Sequence, residues 1–347
     1  MPTFRGSERR CLLLKRWRVG LLGIIVSLGA IYFIASQVDV AQFKDAVVEA
    51  RYIYVVPTII FLLLGLITRA FRWQVLLHGD LPLRRTFSIM NVAYLVNGVL
   101  PLRMGEVARI YLSTRATPPV PPMKTASTII VERLLDLLAV VLMVVLALAG
   151  GDVPEVIRAS AVLSGAAALI GFLVLVSLAS RRATARQLLN AVLRWAGRED
   201  SPLANQLQKW LDHFLDGLQP LTRPTALLAA LAWTAISWGF SAVAGYILMF
   251  TFYEQANWAA TLLYIAAAAF AIAVPAVPGN VGPYEGSIIL AIGAMGYAQP
   301  AGTALAFAVL VHGVNLIVHA TTGVIGFIQE GISLEQLSQG VQEMRQS

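Results

Sequence analysis

Arg103, Glu106 and Arg109 lie within NGVLPLRMGEVARIYL, residues 97–112, where Pro101 and Gly105 would interrupt a helix. A helix returning from that break would begin near Met104, with its free amides and positive dipole end facing the break. Flanked by Arg103 and Arg109, such an end suits a phosphate headgroup, which a guanidinium binds bidentately. Glu106 would pair with either arginine, hold a cationic headgroup, or exchange a proton. Arg109 has a second reading, as an anchor whose side chain reaches back to the membrane surface.

Two more groups of residues carry chemistry. In STIIVERLLDLLAVV, Glu132 and Asp136 are four apart and share a helix face, while Arg133 and Asp136 are three apart. Ionisable groups at such depth normally face a bundle interior or water; if the helix starts deeper, the same three are interfacial anchors. PAVPGNVGPYE, residues 275–285, repeats the first pattern: Pro278 and Gly282 followed by Glu285, against Pro101 and Gly105 followed by Glu106. A Pro- and Gly-rich surface loop is the plain alternative, but it does not account for the short apolar arms around each break. His312, Asn315 and His319 form a stripe suited to interhelical hydrogen bonds. Arg69 and Arg72 read as interfacial anchors, and Trp233, Trp238 and Tyr246 as packing or interfacial aromatics. No metal or cofactor is expected, and Cys11 is the only cysteine.

The elements that position these residues must be membrane helices. Of the 347 residues 58% are hydrophobic and 13% charged, about half the charge of a soluble domain, for which roughly 25% is usual. The apolar runs are continuous, which excludes the alternating strands of a membrane barrel and predicts an all-α polytopic protein. Six full spans are expected, near 19–35, 53–77, 126–149, 157–179, 226–250 and 303–328. Residues 1–18 form a basic cytoplasmic N-terminus. The apolar run after it exceeds the roughly 7–15 residues of a signal peptide, so it reads as an uncleaved first span. Residues 19–328 make one transmembrane domain and 329–347 a cytoplasmic tail. Re-entrant helical hairpins are expected at about 86–115 and 258–298, entering from opposite sides in an inverted-repeat-like arrangement, a pattern that marks a transporter's central site. Residues about 183–222 read as cytoplasmic surface helices. With both termini inside, nearly all 26 basic residues fall on the cytoplasmic side. The net charge of +7 then reports topology in an inner membrane and not a nucleic-acid partner.

In order and spacing, NGVLPLRMGEVARIYL, VERLLDLLAVV and VPAVPGNVGPYEG resemble the flippase-like family, the transmembrane region of lysylphosphatidylglycerol synthases and its stand-alone relatives. The resemblance covers the chain from the first span to about Phe327. Larger members, similar to the multiple peptide resistance factor, join such a region to a soluble aminoacyltransferase domain. A chain stopping at Ser347 resembles the stand-alone members, some of them linked to polyprenyl-phosphate sugars or hopanoids. The resemblance implies a site at Asn97, Pro101, Arg103, Gly105, Glu106 and Arg109, at Glu132, Arg133 and Asp136, and at Pro278, Gly279, Gly282 and Glu285. Leu102 departs from the pattern, where a small residue would follow the proline.

The leading expectation is a lipid translocator that moves a phospholipid or a polyprenyl-phosphate-linked lipid between leaflets, with its site between the hairpins. Its partner would be a lipid with a phosphate or an aminoacylated headgroup; residues of both signs leave the substrate's charge open. Two other readings stand beside it. A membrane-embedded lipid transferase would use Glu132 and Asp136 as its acidic pair. A non-catalytic protein would recruit a lipid-modifying enzyme through its surface helices. No phosphate-binding G-x-x-x-x-G-K-[ST] loop occurs, so ATP-driven export by this chain alone is not expected.

Overall fold

A computed structural model describes residues 39–99, 103–148, 155–197, 201–273 and 278–332, together with Gln336 and Gln339. The expected first span, Pro101, Leu102 and most of the expected tail lie outside the described residues. Among those described are twelve α-helices and no strand.

In chain order the helices are α1 (Val40–Glu49), α2 (Val55–Leu76), α3 (Leu83–Val99), α4 (Met104–Thr114), α5 (Pro122–Leu148) and α6 (Glu155–Ser180). They continue as α7 (Arg182–Trp195), α8 (Pro202–Gly217), α9 (Pro224–Met249), α10 (Trp258–Ala273), α11 (Pro283–Ala294) and α12 (Ala301–Glu330). Their ends follow from local chemistry. Proline opens α8, α9 and α11, where its missing N–H costs nothing. The Ser201 hydroxyl accepts from the Ala204 amide at the start of α8. Gly331 takes a left-handed turn just after α12.

Four helical stretches are long and apolar enough to cross a membrane: Tyr52–Leu76, Arg158–Ser180, Pro224–Met249 and Ala301–Glu330. They coincide with the second, fourth, fifth and last expected spans. The third expected span is α5, 27 residues long, but Glu132, Arg133 and Asp136 keep it too charged to qualify by composition. What those charges do is the key to the site.

The packing is organised in two halves. Helix α2 lies against α9, α3 against α12 and α10 against α5, while α3 folds back on α4 and α10 on α11. Exchanging α2–α5 with α9–α12 maps this set of contacts onto itself. The α2–α9 pair is antiparallel: Thr58 donates to the Ala244 carbonyl at 3.3 Å, and further along Phe71 stacks on Trp233 at 4.9 Å. Small residues bring α3 and α12 close together, since a Cβ at Gly326 would stand 2.7 Å from the Ser88 carbonyl oxygen.

Helix α12 also serves as a ruler. Its 30 residues make about 45 Å at 1.5 Å per residue. Ser88, early in α3, packs near its C-terminal end at Gly326, whereas Gly98, late in α3, packs at Leu316. The break between α3 and α4 therefore stops near the midpoint of α12. From the other end, Glu285 at the start of α11 meets His312, again near the midpoint. A Cβ on Gly279, in the second break, would lie 3.8 Å from the Gly98 carbonyl. Both helix–break–helix units thus run half the length of α12 and meet in the middle.

Candidate functional site

The two breaks are closed by different means. Arg103 adopts left-handed backbone (φ 53) and its side chain does not cap α4. Asn97 takes over that task from α3: its Oδ1 accepts from the Gly105 amide at 2.7 Å. A Cβ on Gly105 would run into the Ala93 backbone, with the Ala93 carbonyl carbon only 2.8 Å away, so the two arms touch only because this residue is glycine. In the second break Glu285 Oε2 accepts from the Gly282 amide at 2.7 Å, and its Oε1 sits 2.6 Å from His312 Nδ1. Tyr284 stacks on the same imidazole at 4.3 Å.

Beside the first break lies a charge network drawn from α2, α4 and α5. Arg109 forms a two-pronged pair with Glu132, at 3.1 and 2.8 Å, and its guanidinium stacks 3.6 Å over the Trp73 ring. Trp73 is fixed in turn by donating to Thr128 at 3.1 Å. Arg72 forks onto Asp136 at 2.6 and 3.3 Å, donates to Thr234 at 3.3 Å and stands 3.6 Å from Glu132. Trp238 adds a second donor to Asp136, at 3.0 Å. Arg72, Arg109 and Glu132 are buried. An isolated charge there would cost several kcal/mol, and each of these groups has an opposite charge against it.

At the network's open end the balance changes. Arg103 and Arg133 both approach Glu106 Oε1, at 3.5 and 3.2 Å, and all three side chains are about one-third exposed (34%, 33% and 29%). Across the whole network four guanidiniums face three carboxylates, and the surplus positive charge sits at this accessible end. Arg69 lies near the closed end, donates to Ser241 at 3.3 Å and faces Trp238; no carboxylate pairs with it among the described residues.

The structure therefore sorts the expected site residues into groups. Arg109, Glu132 and Asp136 are brought together and tied up. Arg103, Glu106 and Arg133 are brought together at the part-exposed end, where Arg133 also reaches Asp136 at 3.7 Å and Glu132 at 3.9 Å. Asn97 and Gly105 shape the first break; Gly279, Gly282 and Glu285 shape the second, with Pro278 in its first turn. Of the alternatives for Glu106, pairing with Arg103 is present and pairing with Arg109 is not. Arg109 does not reach back to a surface. Arg72 is not an interfacial anchor either, because it is fully buried on Asp136. Of the His stripe, His312 bonds across to α11, Asn315 bonds within its own helix and His319 stacks on Tyr94 at 5.1 Å. Reading by sequence missed Arg72, Trp73 and Trp238 as members of the network. The available signal was two carboxylates and an arginine in α5, Glu132, Asp136 and Arg133, that needed partners within the bundle.

Comparison with curated proteins and with solved structures returned no match. The sequence pattern described as the lysylphosphatidylglycerol synthase TM region matches residues 20–323, most of the chain. With its four long apolar helices, this is a multi-pass membrane protein with a membrane lipid-related function, and it belongs to the lysylphosphatidylglycerol synthase transmembrane-region family.

Proposed function

We propose that this protein translocates a lipid with an anionic headgroup between leaflets, and that the headgroup enters between the two breaks at Arg103 and Arg133. The observation that carries this reading is the unequal charge balance: four guanidiniums face three carboxylates, and at the part-exposed end Arg103 has only Glu106, at 3.5 Å, which it shares with Arg133, itself also 3.7 Å from Asp136 and 3.9 Å from Glu132. A phosphate there would take the place of a missing carboxylate. Its acyl or prenyl chains would stay in the bilayer. The two helix–break–helix units act as oppositely oriented re-entrant hairpins, whose irregular backbone is tolerable at membrane depth only where it is enclosed by protein or lines a wet path. Arg109, Glu132, Arg72 and Asp136 then form the wall of the path and not its binding groups. Glu285 holds the second hairpin's tip in place, and both termini lie on the cytoplasmic side of the inner membrane.

The transferase reading is weaker on the same geometry. Glu132 and Asp136, the acidic pair it would need for a metal or a general base, are each engaged by an arginine fork.

The test is a scrambling assay in proteoliposomes with headgroup-labelled lipids: anionic, zwitterionic, aminoacylated and polyprenyl-phosphate. Labels flipped inward become protected from an impermeant quencher. The proposal expects protection of the anionic or polyprenyl-phosphate probes to develop faster than in protein-free vesicles. Rates equal to protein-free vesicles for every probe would overturn it.

A further inference from the structure

Helices α6 and α7 meet at an elbow. Arg181, between them, has non-helical backbone (φ −117, ψ 53), and its side chain has no ion-pair partner among the described residues. Inside the elbow, Ile170, Leu173 and Val174 of α6 face Ala185 and Leu188 of α7 across an open, almost wholly apolar groove of about 360 Å³. Arg181 stands at its corner.

Three features decide what such a groove holds. Val162, Leu163, Leu169, Ile170, Leu173 and Val174 of α6 are all exposed, so its long apolar flank faces the bilayer, and the groove is continuous with that flank. Helix α7 is clamped to α8 through Arg182–Asp216 at 2.8 Å and Arg186–Asp212 at 2.7 Å. That clamp leaves Leu188, Val192 and Trp195 exposed at helical spacing, the arrangement of a helix lying in the headgroup interface. Finally, Arg181 is the charged residue lining the groove, and among the described residues no carboxylate pairs with it.

We infer that this elbow is a second lipid site, separate from the path between the hairpins and independent of the translocation reading. One acyl chain of an anionic phospholipid lies in the groove beneath α7, and its phosphate rests on the Arg181 guanidinium.

The test uses the full chain in nanodiscs of zwitterionic lipid doped with a photoactivatable phosphatidylglycerol or with a phosphatidylcholine carrying the same diazirine acyl chain. Adducts are mapped by mass spectrometry. The anionic probe is expected to label Leu173, Val174 and Leu188 several-fold more than the zwitterionic probe does. Val162 and Leu163, on the open flank of α6, should take both probes equally. Arg181→Gln, an exposed substitution, should erase the preference; Leu188→Trp, which fills the groove, should lower labelling there and spare Leu163. Equal labelling of the groove by both probes, or labelling no higher than at Leu163, overturns the site. So does an unchanged preference in Arg181→Gln, and so do crosslinks between copies through Leu188, which would assign the groove to a second chain.

Discussion

The first hairpin, α3–α4, and the second, α10–α11, follow the same path and differ in almost all their chemistry. Each runs half the length of α12, and each packs on the long helix of the opposite half. Around the first gather four arginines and three carboxylates. Around the second, the carboxylate among the described residues is Glu285, bonded to His312; its core is Tyr264, Tyr284, Ile288 and Phe307 packed among alanines. A repeated backbone layout can thus divide labour between its copies. We read the first hairpin as the one that meets the headgroup and the second as the one that seals the centre, and the means of closure agree with this. Asn97, a neutral side chain reaching across from the other arm, closes the first break without drawing on the arginines or carboxylates beside it. Glu285, a charged side chain, is spent entirely on holding the second.

The largest effect should come from Glu132→Ala. It leaves Arg109 without its partner in a buried site and removes a neighbour of Arg72. Losing one member of a buried pair costs about 3–5 kcal/mol, enough to prevent recovery of folded protein or to lower its melting temperature sharply. Replacing both Arg109 and Glu132 by leucine should recover much of that loss, because no unpaired charge remains between them; melting curves of the purified variants check both outcomes. Next is the second break. Glu285→Ala removes the acceptor for the Gly282 amide and the partner of His312, and should cost about 1–3 kcal/mol. Asn97→Ala, which removes a single capping bond from the first break, should cost less, about 1 kcal/mol. Equal losses in those two variants would break the contrast between the hairpins. The smallest stability effect belongs to Arg103→Gln. Its ion pair with Glu106 is long, at 3.5 Å, and part-exposed, and such pairs contribute at most about 1 kcal/mol, so melting should shift by no more than a few degrees.

Much of this architecture was legible in the sequence, because membrane helices announce themselves by uninterrupted apolar length. Met104 as the first residue of the returning helix followed from Pro101 and Gly105. The pairing of the two breaks followed from their shared Pro and Gly spacing. The meeting of the breaks at Leu316 and His312 could not be read, since no local pattern gives the depth at which a hairpin stops. Within the site, the grouping of Glu132, Arg133 and Asp136 was visible because α-helical spacing fixes neighbours on one helix. Which arginine each carboxylate would take was not visible. That choice depends on how α2 and α4 lie against α5, where Trp73 bonds to Thr128 and stacks under Arg109. Arg72 was misread for this reason: at the end of a span, an arginine reaching for the surface and one reaching inward have the same sequence.

The central claim is that headgroup selection resides in the open pair Arg103 and Arg133 and not in the buried network. The most direct measurement is the ratio of anionic to zwitterionic lipid translocation in proteoliposomes, for wild type, Arg103→Gln with Arg133→Gln, and Glu285→Gln, each shown to be folded by its melting curve. The account predicts a ratio well above one in wild type, a fall of about tenfold or more in the double variant, as expected from losing roughly 1.4 kcal/mol or more of charge-assisted binding, and a ratio unchanged by Glu285→Gln even where the overall rate drops. A double variant that folds and keeps the wild-type ratio would contradict it.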